Sequence, residues 1–217
     1  MRKQTDMTDK SENLWLVAGL GNPGRQYEKT WHNAGFMALD ILSQRHQINL
    51  NRIKFKGLFG RGQIKGNQVI LLKPTTYMNL SGESVREAAS YFKIPLHRVL
   101  VIYDDLDIEI GNVRIREKGG PGTHNGMRSL VGCLGSELFP RIRVGIGPLP
   151  NNRELVSYVL SEIPDDIRQV LWEGLNIAAD AVEISVSKNL SLAMNRCNKK
   201  KSNADNDLKE ETTDDQA

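Results

Sequence analysis

Cysteine is scarce in this chain of 217 residues: Cys133 and Cys197 are the only two, far apart and in no C-x-x-C pair. That excludes a disulfide-stapled scaffold and a paired-thiol redox motif, and it points to reduced thiols in a cytoplasmic setting. Long apolar runs are also missing, and none approaches the ~20 residues of a membrane-spanning helix. The opening M-R-K-Q-T-D-M-T-D-K-S-E-N has no apolar centre of a signal peptide. No G-x-S-x-G elbow occurs, and neither cysteine has an obvious partner base, so a side-chain nucleophile is not indicated. No internal repeat is visible.

Charge of either sign is not in large excess, at +3 overall, but it is unevenly spread. Residues 198–217 carry 4 lysines against 6 acids, which leaves 25 basic and 20 acidic side chains in residues 1–197. A mildly basic body permits a nucleic-acid partner without requiring one. Residues 1–13 read as a mobile polar segment and 198–217 as a disordered polar tail. Residues 14–197 are expected to form one α/β domain.

Within that domain one stretch organises the rest: L-W-L-V-A-G-L-G-N-P-G-R-Q-Y-E-K-T-W-H-N-A-G-F, residues 14–36. Leu14–Ala18 is a continuous apolar run, the pattern of a strand buried on both faces. Gly19, Gly21, Asn22, Pro23 and Gly24 break it at once, so the chain turns at the strand's carboxyl end, where open α/β sheets bind ligands. An amphipathic helix pattern follows from Phe36, with Asn33 as its cap. Asn22 and His32 are thereby delivered to one rim.

Gly19-x-Gly21-x-x-Gly24 also fits a dinucleotide-binding fingerprint. That fingerprint needs a helix starting at the third glycine and an acid about 20 residues on, ending a second strand. Here Pro23 precedes that glycine, and Asp40 falls inside a helical pattern, so a nucleotide cofactor is disfavoured.

The remaining chain alternates strands and helices. Lys65-Gly66-Asn67 reads as a hairpin turn between 54–65 and 68–72. K-P-T-T-Y-M-N then delivers Asn79, and Ser84 with Glu87 has capping-box spacing for the next helix. Arg98–Tyr103 is a buried-strand run ending at Asp104. Val113-Arg114-Ile115-Arg116 puts both arginines on one strand face, and Arg141–Ile146 repeats the device with Arg141 and Arg143. The glycine-rich G-G-P-G-T-H-N-G lies between them, with Asn125 capping or preceding a helix. A long helix runs from about Pro164 to Lys188, and a short one covers 192–197. These elements predict a single domain with a mixed, mostly parallel twisted sheet, flanked by helices on both faces.

Four segments thus offer polar side chains near strand ends: Asn22 with His32, Asn79, Asp104, and His124 with Asn125. Histidine is suited to take a proton near neutral pH, and a carboxylate can orient it. Amides do not titrate but donate to carbonyl or oxyanion groups. The set suits water-mediated attack on a carbonyl. D-D-L-D with His32 and His124 lacks recognisable metal-ligand spacing, so no metal and no other cofactor is expected.

G-L-G-N-P-G-x-x-Y-x-x-T-x-H-N-A-G, K-P-T-T-Y-M-N-L-S-G, D-D-L-D and G-x-x-x-H-N-G occur in that order. Together they resemble bacterial-type peptidyl-tRNA hydrolase over residues 14–197. The resemblance implies a metal-free monomer that cleaves the ester between a peptide and tRNA ribose, recycling the tRNA, with peptidyl-tRNA as its partner. It implies His32 as base, Asp104 as its support, and Asn22 as the contact to the peptide backbone that distinguishes blocked from free aminoacyl ends. It further implies Asn79 and Asn125 as amides for substrate and water, and Tyr27, Tyr77, Met78 and His124 as substrate-side residues. Arg114, Arg116 and Arg143 fall at its tRNA-phosphate positions. Trp31, Pro121 and Thr123 depart from the family pattern, with Trp31 expected at the cleft rim. The alternative is a non-catalytic RNA-binding relative of the same fold.

Overall fold

The computed structural model describes residues 13–198, and the expectations for 1–12 and 199–217 lie outside these. Strand β1 (Trp15–Gly19) is central, with Leu16, Val17 and Ala18 fully buried. It lies parallel to β4 (Asn67–Pro74) on one side and β5 (Val99–Glu109) on the other. The sheet order is β2-β3-β4-β1-β5-β7-β6, with β2 (Arg52–Lys54), β3 (Gly57–Ile64), β6 (Val113–Arg116) and β7 (Arg141–Gly147) completing it. The four central strands β4, β1, β5 and β7 are mutually parallel, and β2, β3 and β6 add antiparallel edges. Lys65 and Gly66, both with positive φ, form the two-residue turn between β3 and β4.

Helices cover both faces. Val17, Leu100, Ile102, Ile142 and Val144 pack under α1 (Ala34–Arg45) and α5 (Asp165–Ser187). Leu16, Ala18, Val99 and Val101 point the other way, toward α2 (Ser81–Tyr91) and α3 (Asn125–Leu134). This is why the strands read as unbroken apolar runs rather than alternating ones. Each buried aliphatic side chain is worth about 1.5–3 kcal/mol in removed apolar surface. Two short helices, α4 (Leu155–Val159) and α6 (Leu190–Cys197), flank α5.

Helix α1 approaches the sheet very closely. A Cβ on Gly35 would stand 2.4 Å from the Ile102 carbonyl oxygen and 2.5 Å from the Leu20 nitrogen. Gly19 faces it, where a Cβ would come within 2.3 Å of the Gly35 oxygen. Bare backbone on both sides lets the start of α1, and His32 just before it, sit against the ends of β1 and β5.

Several local expectations change. Strand β5 does not stop at Asp104 but continues to Glu109, because pairing with β7 extends through Asp105 and Gly145. Helix α2 begins at Ser81, continuing a 3-10 turn at Met78–Leu80, so Ser84 lies inside it and caps nothing. Asn33 makes no side-chain cap on α1. His124, not Asn125, caps α3 by accepting from the Met127 N–H. Only a three-residue 3-10 turn, Arg25–Tyr27, follows Gly24 where the fingerprint needs an α-helix, and Asp40 sits on α1 paired with Lys73 at 2.5 Å, so the dinucleotide fingerprint has neither of its supports.

Candidate active site

A cleft of about 460 Å³ opens at the carboxyl ends of the central strands. Asn22, His32, Tyr77, Met78, Asn79, Asp104, His124, Asn125, Arg116 and Arg143 all line it. Tyr27 and Arg114 do not. Tyr27 lies in the 3-10 turn Arg25–Tyr27. Arg114 donates to the Asn198 carbonyl at 2.7 Å, while the Asn198 amide brackets the backbone of Ile115. Arg114 therefore ties the end of α6 to the edge strand rather than presenting a free charge to the cleft.

Asp104 is the hub. Its side chain is 3% exposed, and it accepts from two imidazoles. His32 Nδ1 lies 2.9 Å from Oδ2, and His124 Nε2 lies 3.0 Å from Oδ1. Burial alone would raise the carboxyl's pKa, but the two imidazoles more than offset it and hold it well below the usual carboxylate range. An ionised carboxylate only accepts, so the proton of His32 resides on Nδ1. Nε2 is left with its lone pair, and among the described residues nothing hydrogen-bonds it. Burial opposes charging of His32, yet Asp104 outweighs it and raises the pKa above 6.5.

His124 has a different assignment. Its Nδ1 accepts from the Met127 N–H at 3.2 Å, so its proton sits on Nε2 and is directed at Asp104. The two rings lie 4.8 Å apart. Tyr103 packs edge-on against His124, and burial beside Asp105 raises the phenol to about 12, keeping it protonated. His124 thus lines the cleft with both ring nitrogens engaged, one with Asp104 and the other with the start of α3.

His32, Asp104 and His124 gather their donor atoms within 4.8 Å. The arrangement does not suit a metal ion. The donors are engaged with one another, and ligation through His124 Nε2 would drive its proton onto Nδ1, against the Met127 N–H.

Asn22, tied to the residue next to His32, is fixed through three bonds. Its backbone N–H donates to Asn33 Oδ1 at 2.8 Å, and its carbonyl accepts from Asn33 Nδ2 at 3.1 Å. Its own Oδ1 accepts from the Met78 N–H at 2.8 Å. Nδ2 is the side-chain atom left for the cleft.

Sequence reasoning did not find four further features. Arg141, 1% exposed, spreads its guanidinium over the carbonyls of Gly119, Gly120, Glu137 and Phe139, anchoring the base of the glycine-rich loop. Asp105 holds Arg143 at 2.5 Å. Helix α4 supplies an apolar wall of Leu155, Val156, Val159 and the adjoining Leu160. Its five residues are too few to show periodicity, and its only signal is Glu154, which caps Val156 and Ser157. Trp31 is not at the rim: it is 2% exposed and stacks on Tyr158 of α4 at 5.5 Å.

Comparison with known proteins agrees with this geometry. The family model described as peptidyl-tRNA hydrolase matches residues 16–205. A peptidyl-tRNA hydrolase of Clostridium novyi is 49% identical over 185 residues, covering 85% of this chain and 98% of the relative. One from Clostridium acetobutylicum is 50% identical, with the same coverage of each chain. The crystal structure of peptidyl-tRNA hydrolase from Acinetobacter baumannii superposes with a TM-score of 0.81 at 37% identity, covering 86% of this chain and 95% of that one. With nearly the whole described chain matched in sequence and in fold, this protein belongs to the peptidyl-tRNA hydrolase family.

Proposed function

We propose that the cleft hydrolyses the ester joining a peptide, or an N-blocked amino acid, to the ribose of tRNA, with His32 as general base. One observation carries this reading: Asp104 holds His32 Nδ1 while Nε2 opens, unpartnered among the described residues, on a cleft lined with amides. Water seated at Nε2 gives up its proton as it attacks the ester carbonyl. Asp104 then stabilises the imidazolium, which returns the proton to the departing ribose oxygen. Base help of this kind is worth about 10²–10⁴-fold. Asn79 and Asn125, the latter at the positive end of α3, are placed to donate to the developing oxyanion. The Nδ2 of Asn22 is placed to donate to the peptide backbone.

The tRNA lies along the basic side of the cleft. Arg116 and Arg143 are there for phosphate, which is read by charge and shape rather than by base. On this reading the chain acts as a monomer in the cytoplasm, where translation makes this substrate. Among the described residues no helix is long and apolar enough to cross a membrane. A non-catalytic RNA-binding relative would have no use for an Asp104-held imidazole with a free lone pair, and nothing in the site favours that alternative.

The test is release of N-acetylated amino acid from N-acetylaminoacyl-tRNA, with unblocked aminoacyl-tRNA as control. His32→Ala should abolish turnover while leaving tRNA affinity nearly unchanged. Near-parental turnover in that variant sinks the assignment.

A further inference from the structure

Asn33 sits beside the base in sequence but does not face the cleft. It is 2% exposed, and its amide is spent on a residue 11 positions back. The two bonds form a closed pair on one peptide segment: Oδ1 takes the Asn22 N–H, and Nδ2 gives to the Asn22 carbonyl. Their directions fix the amide's orientation, because a backbone N–H needs an oxygen and a carbonyl needs an N–H. The same logic applies to Asn22. The Met78 N–H claims Oδ1, so Nδ2 must face the other way, into the cleft.

We propose that Asn33 is a positioning residue for substrate selection, acting through Asn22. By holding both backbone groups of Asn22, it sets where the Asn22 Nδ2 donor stands relative to His32 Nε2. The ends of the turn 20–24 are held by the Leu20 N–H to Ile102, the Phe36 N–H to the Leu20 carbonyl and the Tyr27 N–H to the Gly24 carbonyl, but among the described residues Asn22 itself is bonded otherwise only by the Met78 N–H. Consecutive residues thus carry separate duties: His32 moves the proton, and Asn33 fixes the distance from that proton to the group that grips the peptide. The inference rests on the reading of Asn22 as the peptide-backbone contact.

The readout is kcat/KM on N-acetylaminoacyl-tRNA, the ratio of blocked to unblocked substrate turnover, and the pH profile. These are measured for Asn22→Ala, Asn33→Ala and the double variant, with His32→Ala alongside. Asn33→Ala should lose about ten-fold in kcat/KM, the cost of misplacing one hydrogen-bond donor. It should lower the blocked-to-unblocked ratio as Asn22→Ala does, and leave the acid limb of the pH profile where it is. The double variant should be no worse than the more damaged single one. Should Asn33→Ala fail to fold, Asn33→Asp replaces it. That variant keeps the acceptor for the Asn22 N–H but turns an oxygen toward the Asn22 carbonyl, and the same losses are expected. Parental kcat/KM and selectivity in the folded variant, losses that multiply in the double variant, or a moved acid limb would each overturn the inference. If Asn22→Ala is itself parental, the peptide-contact reading fails and takes the inference with it. Turnover surviving in His32→Ala would overturn the catalytic reading instead.

Discussion

The backbone N–H of Met127 donates to Nδ1 of His124 at 3.2 Å, and this one bond sets which nitrogen of His124 carries its proton. It puts the His124 proton on Nε2, facing Asp104, so the carboxylate receives one hydrogen bond from each side. The same bond caps α3. His124 therefore has two separable duties, and substitutions should separate them. His124→Ala should lose both the cap, worth about 0.5–2 kcal/mol, and much of the turnover. Asn is a strong N-cap but too short to reach Asp104. His124→Asn should therefore recover most of the stability and little of the activity. Urea unfolding alongside turnover checks this, and full recovery of both in His124→Asn would remove the carboxylate contact from the mechanism.

Asp104→Asn should move the acid limb of kcat/KM to lower pH while depressing the rate throughout. The sign follows from the two opposed influences on His32. Asp104 raises its pKa and burial lowers it, so removing the charge leaves burial alone. The base would then stay neutral to lower pH, yet lack support for the imidazolium it must form. Stability follows linkage. The depressed pKa of Asp104 contributes above the ordinary carboxylate value of about 3.9 and is lost as pH falls through the folded value. The raised pKa of His32 contributes below about 6.5 and is lost as pH rises through its folded value. An acid limb that stays in place would mean that another group is the base.

Much of this was legible in the sequence because the central strands are buried on both faces. Leu14–Ala18 and Arg98–Tyr103 betray themselves as apolar runs, and the polar residue at the end of each run belongs to the cleft. What stayed hidden depends on partners distant in sequence. Asn33 looks like a helix cap, and nothing local reveals that Asn22 claims its amide. Ser84 and Glu87 have capping-box spacing, but the turn at Met78–Leu80 starts α2 three residues earlier. Arg114 and Arg116 share a strand face and look equivalent. They differ only because the chain returns at Asn198 to occupy one of them.

That difference has a consequence for tRNA binding. Arg116 is exposed, lines the cleft, and has no ion-pair partner among the described residues, whereas Arg143 is neutralised by Asp105. Arg116→Ala should weaken tRNA binding more than Arg143→Ala and reduce the slope of log affinity against log salt by about 0.7–0.9, one phosphate contact. Arg114→Ala should leave affinity and slope unchanged and instead loosen the docking of α6. Filter binding from low to high salt distinguishes the three. An Arg114→Ala slope change equal to that of Arg116→Ala would return Arg114 to the tRNA surface.

Two glycines make opposite demands on a single methyl group. In Gly35→Ala the new Cβ meets backbone atoms of Leu20 and Ile102 that cannot rotate away, so α1 must back off from the sheet. Overpacking of this kind costs about 1–3 kcal/mol or more. Because His32 sits at the mouth of that helix, kcat should fall with the stability. Gly132, within α3, has nothing within 4 Å of a built Cβ. Gly132→Ala should gain up to about 1 kcal/mol through reduced helix entropy cost, with kcat unchanged. Denaturant midpoints and turnover on the same preparations test both. If Gly35→Ala is as stable and active as the parent, the close seating of α1 is not what places the base.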